Sequence, residues 1–208
     1  MTSIEIGRLL RSGIAGCVVG CKASQQDVPE FGGMVRIPIG DLPQTQVFGL
    51  VYDIHIDDDG LVRQLVTSER VSEEIIMDNR LNRNVPLEIS VLFVGYQVDQ
   101  RIYHLLPPRP PLTLDAIYPC EQEDLVRFSP IGQFGYFRHV LRASDLPVSE
   151  LIASHFKQMV QAQRVIGHPN WGMAAVQELI TLLRDDYPTL MAVLGAVADA
   201  RLDIEVSN

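Results

Sequence analysis

The sequence predicts an α+β protein, with a barrel or sandwich of short strands in residues 1–146 and a three-helix subdomain in residues 147–208. Three observations predict it. Residues before Leu146 are rich in Val, Ile, Gly and Pro and fall into short stretches of period two, whereas residues after it repeat apolar side chains every three or four positions. A strip at 105–119, LLPPRPPLTLDAIYP, holds five of the thirteen prolines. Proline lacks a backbone N–H and fixes φ, so this strip is neither helix nor central strand and runs extended.

Strands are expected at 3–10, 14–23, 34–39, 46–57, 61–66, 86–98 and 101–106. In the fourth, Val47, Gly49, Val51, Asp53 and His55 share one face. Phe48, Leu50, Tyr52, Ile54 and Ile56 share the other, which is read as the apolar face. Asp57-Asp58-Asp59-Gly60 reads as a hairpin turn, since Asp-Gly tolerates positive φ. The proline strip follows the last expected strand and reads as a stiff internal connection, cheap to order because it is already extended, with a docking ligand for an aromatic groove as the alternative. Arg109 within it is placed to stack on an aromatic ring or pair with a carboxylate.

From Pro147 the first helix carries Leu151, Ile152, His155, Phe156, Met159 and Val160 on one stripe, and Gly167 and Pro169 end it. Asn170 is a cap for the second helix, in which Trp171, the only tryptophan, is expected to anchor helices together. Pro188 opens the third as a first-turn proline. Leu190, Met191, Val193, Leu194, Val197 and Leu202 cover more than one side of that helix. They are expected to be buried either against the rest of the chain or in self-association; the candidate interface residues are Arg109, Trp171, Leu190, Leu194 and Val197.

Composition narrows the function. A net charge of −9 argues against a direct nucleic-acid surface, which is ordinarily basic. The acidity is spread over both parts, with 13 Lys+Arg against 19 Asp+Glu in residues 1–146 and 4 against 7 in the remainder. Neither a signal peptide nor a run long enough to span a membrane is evident, so a cytoplasmic location is expected. Three cysteines do not imply a disulfide framework.

No motif assigns chemistry. GCVVGCKA at 16–23 is a near miss of a phosphate loop: only three residues separate Gly16 from Gly20, and Ala23 stands where a magnesium-binding hydroxyl is required. A strand is the better reading. It sets Cys17 and Cys21 about 13 Å apart, too far to share a metal. Cys120 has no paired cysteine nearby, and all three thiols read as packing residues. The five histidines, at 55, 104, 139, 155 and 168, form no metal pair at helical spacing; His155, on the apolar stripe, reads as a hydrogen-bonded core histidine. The aspartates at 57–59 lack the alternating ligands of a calcium loop. An enzyme site is possible only as a dispersed acid/base group near Asp53, His55 and Asp57. No cofactor or metal is expected.

The order IGRLLRSG, VFGLVYDIHID, PLEISVLFVGYQ and then the proline strip resembles the HAS-barrel family (HerA–ATP synthase barrel). Members are small closed β-barrels at the N-terminus of HerA-type DNA-translocating ATPases, and related barrels crown the nucleotide-binding subunits of rotary ATP synthase. The residues that carry the likeness are Ile6-Gly7, then Gly49, Val51 and Asp53, then Pro108-Arg109-Pro110-Pro111, and it covers residues 3 to about 128. These positions reflect packing rather than chemistry. The turn after the strip reads PLTLDA where the resemblance leads one to expect glycine. The family's ATPases continue into a nucleotide-binding core. Here about 80 residues follow, with one lysine, Lys157, so ATP hydrolysis by this chain is not expected. The resemblance implies a non-catalytic assembly or regulatory module that self-associates or docks on a separately encoded ATPase, or an acidic accessory factor of DNA processing without direct DNA contact.

Overall fold

A computed structural model describes residues 4–22, 29–40, 45–56, 86–166 and 168–200, together with 67 and 72–74. Seven strands are described: β1 Gly7–Ser12, β2 Gly16–Lys22, β3 Met34–Pro38, β4 Gln46–Ile56, β5 Pro86–Val98, β6 Arg101–Tyr103 and β7 Ala116–Pro119. Five α-helices follow: α1 Gln122–Phe128, α2 Phe137–Leu141, α3 Val148–Ile166, α4 Trp171–Leu182 and α5 Tyr187–Asp199, with a 3-10 turn at Ile131–Phe134 between the first two.

The strand order β2-β1-β7-β3-β4-β5 closes through a β2–β5 pairing, and every pairing is antiparallel. The result is a six-stranded closed barrel, with β6 added along β5 by a two-residue turn in which Asp99 has φ +53°. Closure depends on the length of β5. Its first half pairs with β2 from Pro86 to Leu92, its last residues pair with β6, and β4 runs along the other side. Closure leaves no free edge among those six strands.

The barrel interior is filled by Ile6, Leu9, Val19, Val35, Ile37, Val47, Val51, Ile89, Val91, Phe93 and Ile117, with Cys17 and Cys21 among them. A second apolar core lies outside the barrel. It joins Met34, Phe48, Leu50 and Val94 of the strands to Phe128, Tyr136, Phe137, Leu151, Phe156 and Met159 of the helices. Both faces of β4 are therefore apolar over residues 47–51, one toward the barrel axis and one toward the helices. This corrects the single-apolar-face reading of that strand. A register shift between Val51 and Asp53 then changes its parity. Ile54 packs against the barrel interior, while Asp53 and His55 are exposed.

Two glycines of the family-like pattern sit where backbones or side chains meet closely. A Cβ on Gly7 would lie 2.3 Å from the Gly20 carbonyl oxygen, and one on Gly49 would lie 2.3 Å from Val91 Cγ1. The stretch with the phosphate-loop-like spacing is strand β2, with Gly16 and Gly20 paired to β5 and β1.

Residues 1–146 are not all β, contrary to the sequence expectation. The segment 122–141 is helical because it is capped and amphipathic. The Asp124 carboxylate accepts the Glu121 N–H at 3.1 Å, the Glu121 side chain completes a capping box, and Phe128 is fully buried. Asp124 also pairs with Arg36 of β3 at 3.2 Å, which ties α1 to the barrel. Strand β7, at the end of the proline strip, was not expected, whereas the expected strand at 101–106 ends at Tyr103. The expected strand at 61–66 and the turn at 57–60 lie outside the described residues.

The three C-terminal helices form as the sequence predicts. Asn170 occupies the cap position of α4 without a side-chain cap bond. At α5 the Asp186 carboxylate accepts the Thr189 N–H at 3.2 Å, and Pro188 lies in the first turn.

Candidate docking surface

Leu112 and Leu114 stand at the turn between the proline strip and β7. The strip is pinned by its prolines: Pro107 and Pro111 are buried, while Leu105, Leu106, Pro108, Arg109, Leu112, Thr113 and Leu114 are exposed. Asp115 organises the turn. Its carboxylate accepts the Leu112 N–H at 2.8 Å, and its own N–H reaches the Leu112 carbonyl at 3.2 Å. The barrel holds the turn from below. Leu114 N–H donates to the Leu9 carbonyl at 2.9 Å, Leu9 N–H donates to the Asp115 carbonyl at 3.0 Å, and Arg8 Nη1 donates to the Leu114 carbonyl at 3.0 Å. Glu5 in turn pairs with Arg8 at 3.0 Å.

Two leucines are thereby displayed on a rigid base, 69% and 68% exposed. Leu114 has φ +70°, a left-handed conformation that glycine adopts freely and a leucine does not. It lies within PLTLDA, the turn in which the sequence reading expects a glycine. One residue along β1 from Leu9, Leu10 is also half-exposed and lies across Gly20. A second exposed apolar surface is on the terminal helices, where Tyr187 and Met191 lie one turn apart on α5, near Ile180 and Leu182 on α4 in sequence.

The other sequence-predicted residues are dispersed. Arg109 is exposed and has neither an aromatic nor a carboxylate partner among the described residues. Trp171 is buried as the expected anchor, its Nε1–H donating to Ser129 Oγ at 2.9 Å and its ring set edge-on to Phe134 and Phe156. Gln163 donates to the same hydroxyl at 2.9 Å, so one serine joins α1, α3 and α4. Val197 is only 6% exposed and belongs to the chain's own core, which removes it from any interface. Leu190 is partly buried against that core, and Leu194 is half-buried. Asp53 and His55 lie on the outer surface of β4, in register with Ser90 and Glu88, and Asp57 is outside the described residues.

His155, Tyr136 and His104 are buried and hydrogen-bonded within the fold, although His104 Nδ1 has no partner among the described residues. His155 Nε2 accepts the Tyr136 hydroxyl at 2.9 Å and its Nδ1–H faces the Gly32 carbonyl at 3.2 Å. Both side chains are sealed from solvent, and burial lowers His155 to about 4 despite the favourable carbonyl. Burial likewise lowers His104 to about 4, with Nε2 bonded to the Phe128 carbonyl at 2.9 Å. The thiols are pushed up by desolvation, Cys17 to about 12, Cys21 to about 11 and Cys120 well above its usual range, so none is a poised nucleophile. Among the described residues no group of three or more His, Cys, Asp or Glu side chains could hold a metal ion, and no described helix is long and apolar enough to cross a membrane.

One grouping escaped the sequence reading: His104, Arg138, His139 and Arg142 converge beside β5. Residue 104 and residues 138–142 are far apart in the chain, and only the packing of α2 on the barrel unites them. No protein-family model matches the chain, and no curated protein matches it in sequence.

Proposed function

We propose that this protein is a non-catalytic docking and assembly module of the HAS-barrel type, which seats a separately encoded HerA-type ATPase and self-associates. The observation that carries the reading is the Leu112–Leu114 turn. An exposed leucine in a left-handed conformation costs stability, and its side chain makes little of that back inside its own fold. Such a cost is understandable if the side chain enters a partner's pocket, where a large apolar group contributes about 1.5–3 kcal/mol. The closed barrel and the motif glycines at close approaches support the family part of the reading. The exposed Tyr187 and Met191 on α5 support self-association. The use of His104, His155 and Tyr136 as internal hydrogen-bonding groups supports a scaffold over an acid/base enzyme.

Affinity capture from native lysate with mass identification tests the proposal. Recovery of an ATPase subunit with a phosphate loop is the expected result. Recovery of no ATPase counts against it.

A further inference from the structure

We propose that the cavity between α2 and the barrel is a binding site for a small carboxylate with an apolar body. The cavity has a volume of about 370 Å³, in the range of small-molecule sites. Ala15, Leu92 and Leu106 make its apolar wall, and Arg138, His139 and Arg142 stand along the other side. In a chain of net charge −9, neither arginine is ion-paired to a carboxylate among the described residues.

The cationic groups are held in place by the protein. Arg138 Nη2 and His139 Nε2 both donate to the His104 carbonyl, the latter at 3.1 Å. That bond leaves His139 Nδ1 and the remaining guanidinium N–H groups for a ligand. Burial lowers His139 from its ordinary value; the His104 carbonyl favours its protonated form, whereas Arg138 and Arg142 beside it oppose protonation. An anion seated among them reverses that balance. Guanidinium groups bind carboxylates through paired hydrogen bonds, and the apolar wall then covers the hydrocarbon part. A neutral apolar molecule leaves the cations unanswered, and a bare inorganic anion leaves the wall uncovered. A free acid and a peptide C-terminus both present this chemistry.

Titration of the full chain with octanoate, followed by NMR, tests the site. Octan-1-ol serves as the neutral control, and an acetylated dipeptide ending in leucine represents the peptide source. Octanoate or the dipeptide is expected to shift resonances of Ala15, Leu106 and residues 138–143 saturably, the tighter binder identifying the source. The His139 imidazole titration is expected to move upward on binding. Octan-1-ol should bind at least about tenfold more weakly, and Arg142→Gln, at an exposed position, should weaken carboxylate binding about five- to tenfold without altering the fold. Absence of saturable binding of both acids at millimolar concentration overturns the proposal. So does equal binding of octan-1-ol, or undiminished binding by a folded Arg142→Glu variant.

Discussion

Leu114 is the residue at which local conformation and side-chain identity disagree most. A non-glycine residue in the left-handed region costs about 1–2 kcal/mol, whereas glycine there pays only its extra chain entropy, about 0.5–1 kcal/mol. Because Leu114 is 68% exposed, its removal forfeits little packing. Leu114→Gly is therefore expected to stabilise the protein by about 0.5–1 kcal/mol in urea unfolding. A destabilised variant would mean that the leucine packs within its own fold. The buried histidines carry the opposite signature, stability that depends on neutrality. His104 and His155 have folded pKa values near 4, below the ordinary 6.5, so between those values the unfolded chain binds more protons than the native one. Their contribution is complete above pH 6.5 and declines as pH falls through 4, each by about 1.4 kcal/mol per pH unit within the window. Urea midpoints measured from pH 7 to pH 4 should fall steeply, and His155→Gln should reduce the slope by about half. A flat profile would contradict the buried, neutral assignment.

Among the elements, the strands with sustained alternation, β2 to β5, were legible because period two survives in any sheet, open or closed. The helices α3 to α5 were legible for the corresponding reason at period 3.6. Strand β7 was not. It is four residues long, ends in Pro119, and follows a run whose composition argues against pairing. The parity change in β4 is caused by a bulge, and no residue type announces one. The Leu112–Leu114 turn was half legible: the sequence shows PLTLDA without the glycine expected there, but only the fold shows that Leu114 takes the left-handed conformation and faces outward. Helix α5 divides into a buried and an exposed side, with Val193 and Val197 inward and Tyr187 and Met191 outward. Tyr187→Glu with Met191→Glu is expected to leave the fold intact and return a self-associated protein to a mass near 23.2 kDa by light scattering. Val197→Glu should instead unfold the helical part, since burying an unpaired charge costs about 4 kcal/mol or more. A wild-type mass near 23.2 kDa at high concentration would end the self-association reading.

At the scale of the whole molecule, the barrel and the helices share one outer core, and the proline strip leads into β7, which is paired with β1 on one side and β3 on the other. That arrangement gives the Leu112–Leu114 turn a stiff base, and a stiff base lowers the entropy cost of docking. The measurement that tests this account most directly is quantitative affinity capture from native lysate with the wild-type chain and a Leu112→Glu/Leu114→Glu variant, after circular dichroism has shown both to be folded. The account expects a phosphate-loop ATPase to co-purify in near-stoichiometric amount with the wild type and to be lost with the variant. An ATPase retained equally by both, or recovered with neither, would contradict it.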